Sequence, residues 1–181
     1  MGEQSELRLG GKGGQGLILA GIILAEAAIR DGKNSVQSQS YGPEARGGAS
    51  RAEVIIGDEE IDYPKVSRPG VLLVMSQEAC DKFAGDLERG GVLIADSTYV
   101  HTIPEVDGVV YKLPISLAAR EEVGKEMVAN VVALGVMARI TGVVSRQALT
   151  EALLARIPRG TGELNRKALD LGWEMAEKIL H

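Results

Sequence analysis

The chain has 181 residues, 45% hydrophobic and 25% charged, with a formal net charge of −5. That length suits one domain with its own core, and an acidic balance with scattered Lys and Arg excludes an extended nucleic-acid surface. One cysteine, Cys80, and two histidines, His101 and His181, exclude a disulfide framework, a self-contained iron–sulfur cluster and a His-rich metal site. The longest apolar run, residues 17–25, is broken by Gly21 and follows a glycine turn instead of a basic segment. It is too short to span a membrane and does not read as a signal peptide. The expectation is a cytoplasmic protein with no nucleic-acid or membrane partner.

In chain order, residues 6–9 predict a short strand running into Gly10-Gly11-Lys12-Gly13-Gly14-Gln15-Gly16. Apolar residues from Leu17 to Ile29 at helical spacing predict a helix ending near Asp31-Gly32. Residues 34–39 predict a second strand, 40–48 a loop, and 52–56 a β-branched strand that turns at Gly57-Asp58. After the turn at Arg68-Pro69-Gly70, residues 71–75 predict a fully buried strand. A helix over 77–89, interrupted at Gly85, leads through Gly90-Gly91 to two more buried strands, 92–95 and 109–113. From there the pattern is helical, over 116–123, 126–141, 145–155 and 163–180. Alternating strands and helices predict an α/β fold, a single domain over 1–181. Its sheet is expected to be mixed and mostly parallel, flanked by helices, with a helical C-terminal third.

The spacing Gly11-x-Gly13-x-x-Gly16 between a strand and a helix fits a dinucleotide-binding turn. Glycines permit positive φ and close backbone approach, and a helix N-terminus offers free N–H groups to an anion. NAD fails a second requirement, because the strand over 34–39 ends in Gln39-Ser40 with no carboxylate for the ribose. A Walker A loop fails too, since Leu17 stands where a lysine is needed. An anion or cofactor-tail site remains, beside the plainer reading of a turn needed only for packing. Gln15 places a polar amide where it can reach a ligand.

Residues 38–51 concentrate hydroxyls, a phenol, a carboxylate and two arginines between glycines. Arg46-Gly47-Gly48 sets a guanidinium beside bare backbone, suited to a carboxylate or phosphate. In a doubly wound sheet this loop lies at the same edge as the glycine turn. A structural or solvated loop is the alternative.

Together, Gly11-Lys12-Gly13-Gly14-Gln15-Gly16 and Ser40-Tyr41-Gly42-Pro43-Glu44-Ala45-Arg46-Gly47-Gly48 resemble the gamma subunit of the 2-oxoacid:ferredoxin oxidoreductases. The resemblance continues through Ala52-Glu53-Val54, residues 92–96 and the helix over 130–135. Lys12 departs from the family pattern, where an uncharged residue is usual. The resemblance implies a subunit of a complex that oxidatively decarboxylates a 2-oxoacid to an acyl-CoA and reduces ferredoxin. Thiamine diphosphate, Mg and 4Fe-4S clusters are then expected in alpha, beta and ferredoxin-like delta subunits, and this chain is inactive alone. It implies that Gly11, Gly13, Gly14, Gln15, Gly16, Tyr41, Glu44, Arg46, Gly47 and Gly48 line a CoA-receiving mouth or a subunit interface. The alternative is a stand-alone CoA- or nucleotide-binding regulatory protein.

The remaining polar candidates read as structural. Asn130, in an apolar helix, suits a satisfied core amide, and Asp96-Ser97-Thr98 suits a turn cap. Cys80 has the surroundings of an inert thiol, and His101 has no identifiable partner. Arg156, Arg159 and Arg166 suggest a local basic patch, solvated or docking an acidic partner subunit.

Overall fold

The computed structural model describes residues 3–40 and 48–181. Six strands form one sheet in the order β2-β3-β1-β4-β5-β6. They are β1 (Gln4–Lys12), β2 (Asn34–Ser40), β3 (Ala49–Gly57), β4 (Val71–Val74), β5 (Gly91–Asp96) and β6 (Gly108–Leu113). Only β3 runs against its neighbours; β1, β4, β5 and β6 pair in parallel, and β2, antiparallel to β3, points the same way as they do. The expected mixed, mostly parallel α/β domain is what forms.

Alternation along each strand divides the core. Leu7, Leu9, Val54, Leu73 and Ile94 face the layer built by α1 (Leu17–Arg30), α4 (Ala129–Thr141), α5 (Arg146–Arg156) and α6 (Gly162–Leu180). Leu72, Val74, Leu93 and Ala95 face the opposite side, which α2 (Gln77–Phe83) covers with Ala79, Cys80 and Phe83. The same alternation sends Arg8, between Leu7 and Leu9, into that second layer. There its guanidinium meets Glu53 Oε2 at 3.0 Å, Asp86 Oδ2 at 2.7 Å and the Val66 carbonyl at 3.0 Å, above the Phe83 ring.

Helices α4 and α6 touch backbone to backbone. A Cβ on Gly172 would run into the Val132 carbonyl, and one on Gly135 into the Leu169 carbonyl. The helices of the C-terminal third therefore pack on one another through glycines, a small-residue solution in a chain with few aromatics.

Four expectations are corrected. Strand β1 extends to Lys12, taking Gly10 and Gly11 out of the turn, because both pair with β3. The helix expected over 77–89 stops at Phe83 and tightens into a 3₁₀ turn, Ala84–Asp86, after which Leu87 is extended. The strand β6 is an exposed edge and not a buried strand: no helix shields Val109 or Val110, which are 50% and 37% exposed. The helices expected over 116–123 and 126–141 are broken up. A short α3 (Ile115–Ala118) runs into a π-helical turn, Ala119–Val123, and α4 is preceded by a 3₁₀ turn, Glu126–Val128.

Candidate functional site at the sheet's switch point

From β1 the chain crosses by α1 to β2 on one side; from β4 it crosses by α2 to β5 on the other. The C-terminal ends of β1 and β4 thus flank a topological switch point, where open sheets leave a crevice. Met75 N–H donates to the Gly10 carbonyl at 2.9 Å, so the two strand ends stay together up to the crevice itself.

The glycine turn forms one wall. Gly14 (φ 90°) and Gly16 (φ 75°) both take the left-handed conformation, which only glycine adopts freely. Gly13 and Gly14 face open space: a Cβ on either would meet nothing within 4 Å. Gly16 caps α1 without a side-chain bond, and the first turn of α1 carries no acidic residue. The N–H groups of Gly13, Gly14, Gly16 and Leu17 have no acceptor among the described residues. This is the geometry of an anion cradle.

Two amides brace it. Gln15 Oε1 accepts from Lys12 N–H at 2.6 Å, and Gln15 Nε2 donates to the Met75 carbonyl at 2.9 Å. Asn130 Nδ2 donates to the Gly16 carbonyl at 3.0 Å, while its Oδ1 accepts from Val131 N–H at 3.0 Å. Asn130 is thus the satisfied core amide expected. It also explains Gly16, whose Cβ would lie 2.6 Å from Asn130 Nδ2. Gln15 is engaged at both ends of its amide, with one N–H left over for a ligand.

The opposite wall comes from residues that carry no sequence motif. A cleft of about 270 Å³ is lined by Gly14, Gln15, Met75, Tyr99, Ser116, Glu126, Met127 and Ala129. The Tyr99 hydroxyl donates to Glu126 Oε1 at 2.6 Å, which pushes the phenol's pKa up, and Arg120 Nη1 approaches the same oxygen at 3.4 Å. Asp96 keeps to structure, as expected: it accepts from Thr98 N–H, Ser116 N–H and the Ser116 hydroxyl, fixing the turns after β5 and β6. Met127 could not be found in advance, because its apolar neighbours read as one continuous helix.

Tyr41, Glu44, Arg46 and Gly47 of the second loop lie outside the described residues. Gly48 is half-buried, in a bend just before β3. The flanks of the loop do reach the same edge as the turn: Ala49 pairs with Lys12, and Ser50 Oγ donates to the Gly11 carbonyl at 3.3 Å. Of the expected basic patch, Arg156 pairs with Glu26, while Arg166 lines a different groove with Glu122. Cys80 is buried, and burial pushes its thiol pKa up, the state of an inert cysteine. Among the described residues no group of acidic, His or Cys side chains is arranged to hold a metal ion, and no helix is long and apolar enough to cross a membrane.

Residues 6–175 match the family described as pyruvate ferredoxin/flavodoxin oxidoreductase. The chain belongs to this family. It is 49% identical over 179 residues to the 2-oxoglutarate synthase subunit KorC of Methanocaldococcus jannaschii, covering 97% of this chain and 96% of that one. Against the pyruvate synthase subunit PorC of Methanothermobacter marburgensis identity is 32% over 173 residues, covering 93% and 96%. The crystal structure of the gamma subunit of a keto/oxoacid ferredoxin oxidoreductase from Geobacter sulfurreducens superposes with a TM-score of 0.88. It is 52% identical, over 96% of this chain and 99% of that one. The gamma-subunit resemblance read from the two loops is borne out along the whole chain.

Proposed function

We propose that this gamma-type chain works in a cytoplasmic complex that oxidatively decarboxylates 2-oxoglutarate, and that its switch-point cleft helps enclose the active site and receives CoA. The observation that carries this reading is the cleft itself. Open N–H groups of Gly13, Gly14 and the start of α1 offer a phosphate its hydrogen bonds. The choice of oxoacid is supported by the higher identity to a 2-oxoglutarate synthase subunit than to a pyruvate synthase subunit.

The described residues do not fit thiamine diphosphate with its Mg ion, or a 4Fe-4S cluster. They provide one buried thiol and no metal-holding group. Those groups are assigned to alpha, beta and delta partners, with ferredoxin accepting electrons from the assembled complex. This chain contributes backbone donors, held in place by Gln15 and Asn130. Tyr41, Glu44 and Arg46 complete the mouth or the subunit interface.

Gly13→Val tests the reading. The residue is not among the positive-φ glycines and has free space at its Cβ, so the side chain projects from the turn into open space without disturbing the fold. In the assembled complex the affinity for CoA is expected to fall at least tenfold, by calorimetric titration, with the KM for 2-oxoglutarate unchanged. Unchanged CoA affinity removes the turn from the CoA site. The chain purified without its partners is expected to show no 2-oxoglutarate-dependent viologen reduction, and robust activity there overturns the subunit role.

A further inference from the structure

Residues 120–127 are a mostly exposed part of the cleft wall, in which Val123 packs against the core. Arg120, Glu121, Glu122, Gly124, Lys125 and Met127 are exposed, Met127 at 77%. The segment leaves α3 through the π-helical turn, where Gly124 N–H and Lys125 N–H both reach the Ala119 carbonyl, at 3.0 and 3.2 Å, and Gly124 takes φ 92°. It rejoins α4 through the 3₁₀ turn. Ala119 and Val128, at its two ends, are buried.

Space lies on both sides of it. In front is the switch-point cleft; behind is a groove of about 720 Å³ between Glu122 and Val123 on the segment and Leu164 and Leu171 on α6. Among the described residues, one side-chain hydrogen bond ties the segment to another element, from the Tyr99 hydroxyl to Glu126. Tyr99 itself is firmly placed. Its N–H and that of Val100 donate to the Asp96 carbonyl, and the neighbouring Thr98 hydroxyl accepts from Leu117 N–H.

We propose that residues 120–127 form a flap over the cleft and that the Tyr99–Glu126 hydrogen bond is its latch. Closed, the latch holds Glu126 and Met127 against the mouth. Released, the segment turns about Ala119 and Val128 into the groove beside α6. Irregular turns at functional sites and segments with few buried contacts are where local opening concentrates. That the flap gates CoA rests on the reading of the cleft given above; the latch itself does not.

Amide hydrogen exchange on the full chain, without ligand, compares wild type with Tyr99→Phe and Glu126→Ala. Tyr99→Phe removes one hydroxyl from a ring that is 40% exposed. Exchange across 120–128 is expected to quicken about tenfold in both variants, the scale of one hydrogen bond to a charged acceptor. The sheet and the body of α4 keep their rates. Equal rates in wild type and variants overturn the latch, and so does a rise spread over the whole chain. Stopped-flow binding of CoA to the assembled complex tests the gate. Association and dissociation are both expected to accelerate in Tyr99→Phe; unchanged rates beside a quickened flap overturn the gating role. If Gly13→Val leaves CoA affinity intact while the exchange result holds, the CoA reading fails and the latch stands.

Discussion

Arg8 is the most consequential residue outside the cleft, and its removal is predicted to unfold much of what it holds. Its side chain is 2% exposed and its partner Glu53 10%, whereas Asp86 is 48% exposed. Arg8→Met keeps the volume and the apolar stem but leaves the Glu53 carboxylate buried, with Arg51 at 3.7 Å as its remaining cation. Breaking a buried pair from one side costs about 3–5 kcal/mol, and losing the donor to the Val66 carbonyl falls within that figure. Asp86 returns to water and adds little. The double variant Arg8→Met with Glu53→Leu removes the stranded charge and is expected to recover most of the loss, since buried pairs seldom outperform apolar replacements. Urea unfolding monitored by circular dichroism, with comparable slopes for all three proteins, gives the ranking. A single variant within about 1 kcal/mol of wild type, or a double variant no better than the single, refutes the reasoning.

Three other outcomes are expected. Gly172→Ala forces α6 away from the Val132 carbonyl and should cost about 2–3 kcal/mol, lowering Tm by roughly 4–12 °C in a scan of the purified chain. Glu6 has its pKa raised above 4.5, first by burial and then by Glu88 and Glu53. The folded state therefore holds this proton more tightly, so stability falls as pH rises through the raised value. Glu6→Gln should then stabilise the chain at pH 7, modestly because the group is partly exposed, and the gain should vanish in unfolding curves taken below the ordinary carboxylate value. Cys80 should react with a thiol reagent only on unfolding, so that labelling in native buffer is slow and rises with the urea transition; rapid native labelling contradicts its burial.

Fold class was legible wherever a residue's neighbours in sequence are also its neighbours in space. The helices α1, α5 and α6 show their apolar stripe directly, and Ser145 marks the start of α5 by accepting from Ala148 N–H. The turn Gly13–Gly16 was legible because glycine at positive φ leaves a compositional trace. Arg8 was not. A cation between two leucines in a short strand reads as the solvent side of an amphipathic strand, and only the arrival of Glu53 and Asp86 from 45 and 78 residues away makes it a core residue. The exposure of β6 was hidden for the converse reason: valines announce a strand, but its place at the edge depends on the order of all six. The cleft wall at Tyr99, Glu126 and Met127 depends on a π turn, which follows no hydrophobic period.

Strand order also explains the missing carboxylate that set this turn apart from a dinucleotide site. In the fully parallel arrangement the second strand lies beside the first, and an acid at its end reaches the ribose. Here β3 is inserted between them and runs the other way. At about 4.8 Å per strand, the end of β2 is displaced to nearly 10 Å from β1, so a short acidic side chain there would miss a ligand on the turn. What stands next to the end of β1 instead is the start of β3, where Ala49 pairs with Lys12 and Ser50 bonds the Gly11 carbonyl. In sequence, Arg46-Gly47-Gly48 immediately precede that strand. The missing carboxylate is thus a consequence of one antiparallel insertion into the sheet.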